Sequence, residues 1–151
     1  MQKSLIKAIG FTKVGTPDVL KVIEMNLPEV SPKSILVEIK ATSVNPIDTK
    51  LRKGVRPINV SEEKPKILGA DAAGIVIRTG SEVQNFKIGD EVYFSYSTSQ
   101  YGTYSRYYQV DSRVVGKKPK NLTWAEAAVM PLVTQTAWEA LFERMKIPED
   151  K

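Results

Sequence analysis

Ser34-Ile35-Leu36-Val37-Glu38-Ile39-Lys40-Ala41 alternates along its length. Ile35, Val37, Ile39 and Ala41 fall on one face, Glu38 and Lys40 on the other, which is the period of two that a half-buried strand requires. Outward from it, runs at 5–11, 20–25, 72–79, 91–95, 103–110 and 113–116 read as further strands. Gly15, Pro28, Pro32, Gly54, Gly80, Gly89, Gly102 and Pro119 punctuate them. The polar stretch 56–66 reads as a loop. Many short strands at this spacing predict a mainly β domain, a barrel or a sandwich.

Helical signals interrupt and then end the strands. Asn45-Pro46-Ile47-Asp48 offers an N-cap residue, proline at the first helical position and a carboxylate at N3, near the positive end of a helix. A short helix follows through residue 53, stopped by Gly54. Thr123-Trp124-Ala125-Glu126 is a capping box, and Pro131 closes that helix or opens the next. Trp138, Leu141, Phe142 and Met145 form one apolar stripe at helical spacing. The expected division is a barrel over 1–122 and a helical segment over 123–151, ending on polar residues 148–151.

The 151 residues contain neither Cys nor His. Disulfides, thiolate nucleophiles, Ser-His-Asp triads and the usual zinc ligands are thereby removed. Chemistry then falls to a borrowed cofactor. With 42% apolar and 26% charged residues the composition is that of a soluble globule. The net charge of +5 is scattered; its densest runs, Lys50-Leu51-Arg52-Lys53 and Lys117-Lys118-Pro119-Lys120, read as solvated turns and helix ends, not as a nucleic-acid surface. No apolar run approaches the roughly 18 residues of a membrane span, and residues 1–7 return to charge too soon for a signal peptide. The expected location is cytoplasmic, with no membrane or nucleic-acid partner.

Four stretches in order carry a resemblance. They are Asn45-Pro46-Ile47-Asp48; Leu68-Gly69-Ala70-Asp71-Ala72-Ala73-Gly74; Gly74-Ile75-Val76 with Gly80, Val83 and Phe86-Lys87-Ile88-Gly89-Asp90-Glu91-Val92; and Pro131-Leu132-Val133-Thr134-Gln135-Thr136-Ala137-Trp138. Together they resemble the N-terminal GroES-like catalytic domain of the medium-chain dehydrogenase/reductase superfamily, in its quinone-oxidoreductase and zinc-type alcohol dehydrogenase-like branches. The resemblance implies a partly open GroES-like β-barrel whose C-terminal helices lead towards a Rossmann domain that this chain does not contain. Independently of it, Gly74 suits a close backbone approach, Gly80 and Gly89-Asp90 suit turns, and Val76, Val83, Phe86, Ile88 and Val92 are expected to face the core.

In zinc-binding relatives the resemblance places the metal's ligands where this chain has Asn45, Ala70 and Leu132. None is a useful zinc donor, so no metal site is expected. What remains is the zinc-free chemistry, in which NADPH gives hydride to a quinone or an enone. The resemblance puts Asn45 beside the nicotinamide and Thr136 in contact with it. Lys50 and Arg52 on the same short helix are further catalytic candidates, against the competing expectation that both are surface residues. One of Tyr93, Phe94 or Tyr96 is available to stack on a planar substrate. No Gly-rich dinucleotide turn occurs in residues 1–151. The chain is therefore expected to be part of a longer enzyme, homodimeric in its full-length relatives, and inactive alone. The alternatives are a zinc-type alcohol dehydrogenase, as the family label has it, and a stand-alone GroES-like binding or assembly module.

Overall fold

The alternating run at 34–41 lies inside the larger of two antiparallel sheets. The computed structural model describes residues 5–96 and 101–148; the polar C-terminal end expected from the sequence lies mostly outside them. In chain order the strands are β1 (Leu5–Phe11), β2 (Lys21–Asn26), β3 (Ser34–Thr42), β4 (Lys66–Ile67), β5 (Asp71–Thr79), β6 (Glu91–Ser95), β7 (Tyr107–Asp111) and β8 (Val115–Lys117). The helices are α1 (Pro46–Arg52), α2 (Trp124–Val129) and α3 (Pro131–Trp138), the last running into a π-helical turn over Glu139–Arg144. One sheet has the order β2-β1-β4 and the other β7-β3-β5-β6-β8. The two sheets do not close on each other, so the barrel is partly open, as expected.

The main core sits on the inner face of the five-stranded sheet, where Ile35, Val37, Ala72, Val76, Val92, Phe94, Tyr108 and Val110 pack together. Phe94 and Tyr108 stack there with ring centroids 5.9 Å apart. A second, smaller cluster lies on the opposite face, where Ala127 and Ala128 of α2 rest on Ala73. β5 is thus covered on both sides, and its Ala72-Ala73-Gly74 run supplies the small residues that this requires. At Gly74 a Cβ would lie on the Glu38 carbonyl oxygen of β3. The residue is glycine because the two backbones meet there.

The register departs from strict alternation in β3. Ile39 faces Gly74 and Ala41 faces Ala73, so Lys40 is an extra residue in the ladder. Such a bulge turns the chain over. Ile39 packs on the main core, whereas Ala41 joins the α2 cluster on the other face. The expectation that both share one face is corrected by that inserted residue. Ile88, expected in the core, is 67% exposed. Lys66, expected in a loop, is buried in β4 against Phe11 of β1.

In the densest basic runs Lys50, Lys53, Lys117 and Lys120 are exposed, and one residue of each run is tied into the fold. Arg52 is buried. Lys118 is tied to Glu91 at 3.2 Å and lies 4.9 Å from the centre of the Trp124 ring. At the other end of the helical segment the stripe Trp138, Leu141, Met145 faces solvent, with Trp138 held to Phe142 by a ring contact of 4.4 Å. Among the described residues no helix is long and apolar enough to cross a membrane.

Candidate functional site

Three of the sequence-derived positions converge where β3 runs into α1, β5 begins, and α3 starts. The convergence point is Asp71, first residue of β5 and fully buried. One carboxylate oxygen, Oδ2, accepts from Ser43 Oγ at 2.9 Å and from Asn45 Nδ2 at 2.9 Å. The other, Oδ1, accepts the backbone N–H of Leu132 at 2.9 Å. That N–H belongs to the first turn of α3 and has no partner within the helix, so the carboxylate also meets the helix's positive end. The Asp71 carbonyl accepts two more bonds, from Thr42 and Thr103 hydroxyls, each at 2.7 Å. Burial of a carboxylate is tolerated when both of its oxygens accept hydrogen bonds in this way.

Asn45 is itself buried, and its amide group also donates to Ser43 Oγ at 3.2 Å. Both amide hydrogens are therefore committed inside the protein. Its backbone N–H donates to Asp48 Oδ2 at 2.8 Å, which closes the start of α1 from the N3 position. Asp48 is buried as well. It accepts the Gly69 N–H at 3.0 Å and the Tyr104 hydroxyl at 3.3 Å. Gly69 has φ +95°, a conformation that favours glycine, and that backbone turns its N–H to the carboxylate. Burial, then the charges of Asp48 and Asp71 and the bond to Asp48, push the Tyr104 hydroxyl far above the ordinary tyrosine value. Burial holds the Lys66 ammonium below the ordinary lysine value, partly offset by the nearby Asp48.

Of the candidate residues, Asn45 and Leu132 are joined through Asp71, and Ala70 is its chain neighbour. Thr136 stands on the exposed side of α3, one turn beyond Leu132, and its hydroxyl donates to the Leu132 carbonyl at 2.8 Å. Lys50 is exposed on α1. Arg52 is not a surface residue: its guanidinium donates to the Gly15 carbonyl, and its own carbonyl accepts the Gly15 N–H at 2.8 Å. It meets the turn before β2 and makes no described hydrogen bond to Asp71. Among the aromatic candidates Phe94 is core and Tyr93 packs with the α2 cluster, which leaves Tyr96, at 40% exposure, with a free ring.

The node was only half visible beforehand. Asp71 interrupts an otherwise small and apolar run, 68–76, which is the signal of a buried charge with partners. Tyr104 and Thr103 carried no such signal, because their partners are distant in sequence.

The residues at the node do not fit a zinc ion. Ala70 and Leu132 bring no donor side chain, the Asn45 amide is bound to Asp71, and no group of three His, Cys, Asp or Glu gathers among the described residues.

Residues 31–131 match the family model for the alcohol dehydrogenase GroES-like domain. The chain belongs to this family. It is the N-terminal domain of the medium-chain dehydrogenase/reductase superfamily, as the four motifs implied. Among its relatives is the 2-methylene-furan-3-one reductase of Solanum lycopersicum, 39% identical over 91% of this chain and 37% of the reductase. Another is a zinc-type alcohol dehydrogenase-like protein of Staphylococcus epidermidis, 34% identical over 96% of this chain and 43% of that protein. Among solved structures, Escherichia coli quinone oxidoreductase complexed with NADPH superposes with a TM-score of 0.78 at 30% identity, over 92% of this chain and 41% of that one. The GroES-like chain thus spans less than half the length of each of these relatives.

Proposed function

We propose that this GroES-like chain is the catalytic-domain part of a zinc-independent, NADPH-dependent oxidoreductase that passes hydride to a quinone or to the activated double bond of an enone. The observation that carries the reading is the Asp71 node. Of the positions that would hold a metal, Asn45 and Leu132 are tied by hydrogen bonds to one carboxylate, Ala70 is its chain neighbour, and the three present no metal donor set. Kinship supports the reaction class: one relative is named a furanone reductase, and another was solved as a quinone oxidoreductase with NADPH. The zinc-type name of the staphylococcal relative supports the alternative, and the donor set of this chain opposes it.

NADPH, when bound, supplies the hydride; the protein orients the reactants and sets the electrostatics. Thr136 has committed its proton to Leu132 and keeps oxygen lone pairs, which suit a carboxamide N–H. Asn45, its amide held inward by Asp71 and Ser43, is assigned a place at the start of α1 beside the nicotinamide. Exposed Lys50 is the cation available to oxygen charge developing on the substrate. Arg52 acts indirectly, by holding α1 to the turn at Gly15. Tyr96 is the ring placed to stack on a planar substrate. The pyrophosphate needs a Gly-rich turn at a helix N-terminus, which residues 1–151 do not supply. We assign residues 123–151 to the segment leading to a nucleotide-binding domain, and the homodimer of the intact protein to that domain. The compartment we assign is the cytoplasm, tested by fractionation of the intact protein.

The test uses NADPH carrying deuterium at the transferred position, the intact protein, and an enone or a quinone. Deuterium in the reduced enone, or its release through the hydroquinone with matching NADPH consumption, is the expected result. Turnover of an alcohol with the oxidised cofactor, and of neither acceptor, would sink the proposal.

A further inference from the structure

We infer that Asp71 is a positioning residue: its buried carboxylate fixes the first turn of α3 against the Ser43–Asn45 turn, and so sets where Thr136 and Asn45 stand for the nicotinamide. The inference deepens the reading above and rests on it for its kinetic part. The geometric part stands by itself. The two carboxylate oxygens face different pieces of chain, Oδ2 towards Ser43 and Asn45 and Oδ1 towards Leu132. No side chain other than Asp71 bonds both the 43–45 turn and the start of α3 among the described hydrogen bonds.

The chemistry of the three partners explains why a carboxylate is needed. All three are donors, and an ionised carboxylate is a pure acceptor on both oxygens. An amide at the same place would accept on one side only and turn N–H groups on the other side against the Asn45 amide. Bonds to a charged acceptor are about twice as strong as neutral ones, and full burial leaves water no place to substitute for a lost partner. Thr42 and Thr103 hydroxyls hold the Asp71 backbone from the other side, so the side chain has one aim. A metal ion could join three such segments by coordination; here a carboxylate joins them by hydrogen bonds.

The donor pattern also gives a rescue. In Asp71→Asn the amide oxygen can keep Leu132, but the arm to Asn45 sets donor against donor. Adding Asn45→Asp exchanges the roles, since residue 45 then accepts what residue 71 donates. The measurements, on the intact protein, are backbone amide exchange at Leu132, the KM for NADPH, and kcat. In the wild type the Leu132 amide is expected to exchange as slowly as amides of β5. In Asp71→Asn we expect exchange about tenfold faster and the KM for NADPH raised about tenfold, with a smaller loss in kcat. In the double variant the Leu132 amide exchange recovers most of the way.

A wild-type Leu132 amide that exchanges like a free helix end overturns the inference without any variant, which covers the case in which Asp71→Asn does not fold. So does a double variant whose Leu132 amide exchanges as fast as in Asp71→Asn, or an Asp71→Asn protein with an unchanged KM for NADPH. If the wild type consumes NADPH with neither acceptor, it is the function reading that fails, and the amide exchange still decides whether Asp71 fastens α3.

Discussion

Tyr104 shows what a single residue does at this node. Its hydroxyl donates to buried Asp48, and burial with two nearby carboxylates holds it in the neutral form. A raised acid value means that this stabilisation is whole below the ordinary tyrosine value of 10.0 and is lost as pH climbs beyond it. Spectrophotometric titration is therefore expected to place Tyr104 among the tyrosines that ionise only as the fold gives way, and Tyr104→Phe to reduce that late phase. The same substitution should cost about 1 kcal/mol at neutral pH, measured by denaturant unfolding. An unchanged titration curve in Tyr104→Phe would contradict the assignment. Gly69 is the companion case. At φ +95°, with the Thr103 hydroxyl and the Tyr104 ring where a Cβ would go, Gly69→Ala is expected to lose roughly 2 kcal/mol or more in the same assay.

Among the elements, α1 is set by both of its ends. Asp48 closes its start, and near its end Arg52 exchanges hydrogen bonds with Gly15 in both directions. Arg52→Leu leaves the Gly15 carbonyl without its buried donor and should cost about 2 kcal/mol of stability. If Arg52 acts only by holding α1, its KM for the acceptor changes little in protein that remains folded; a loss of turnover at full stability would instead put Arg52 at the substrate. Most element boundaries were legible in the sequence, because alternation, proline at N1 and the Thr123–Glu126 box are local signals. The bulge at Lys40 was not legible, since alternation reads the same through an inserted residue until pairing with β5 reveals it. The stripe Trp138, Leu141, Met145 was read correctly as apolar at helical spacing, but such a pattern does not say what it is packed against. Here it faces solvent and passes through a π-helical turn. Asn45 and Thr136 were singled out from motif position. Asp71 as the point of attachment, and Arg52 as a buried clamp, needed the fold, because their partners lie 26 to 61 and 37 residues away.

For the whole molecule, two open antiparallel sheets bring residues 43, 45 and 132 to the buried Asp71 carboxylate, and residues 42 and 103 to the Asp71 carbonyl. The GroES-like family and its reductase relatives support the proposed reaction class, and the described residues gather no metal donor set. The absence of Cys and His gains its meaning from this placement. Asn45, Ala70 and Leu132 gather around Asp71, where none of them offers a metal a useful ligand. The most direct test combines metal analysis with steady-state turnover of NADPH and a quinone or enone by the intact protein, before and after exhaustive chelation. The account predicts no zinc in proportion to protein and the same rate after chelation. Activity that is lost to the chelator and restored by added zinc would contradict it.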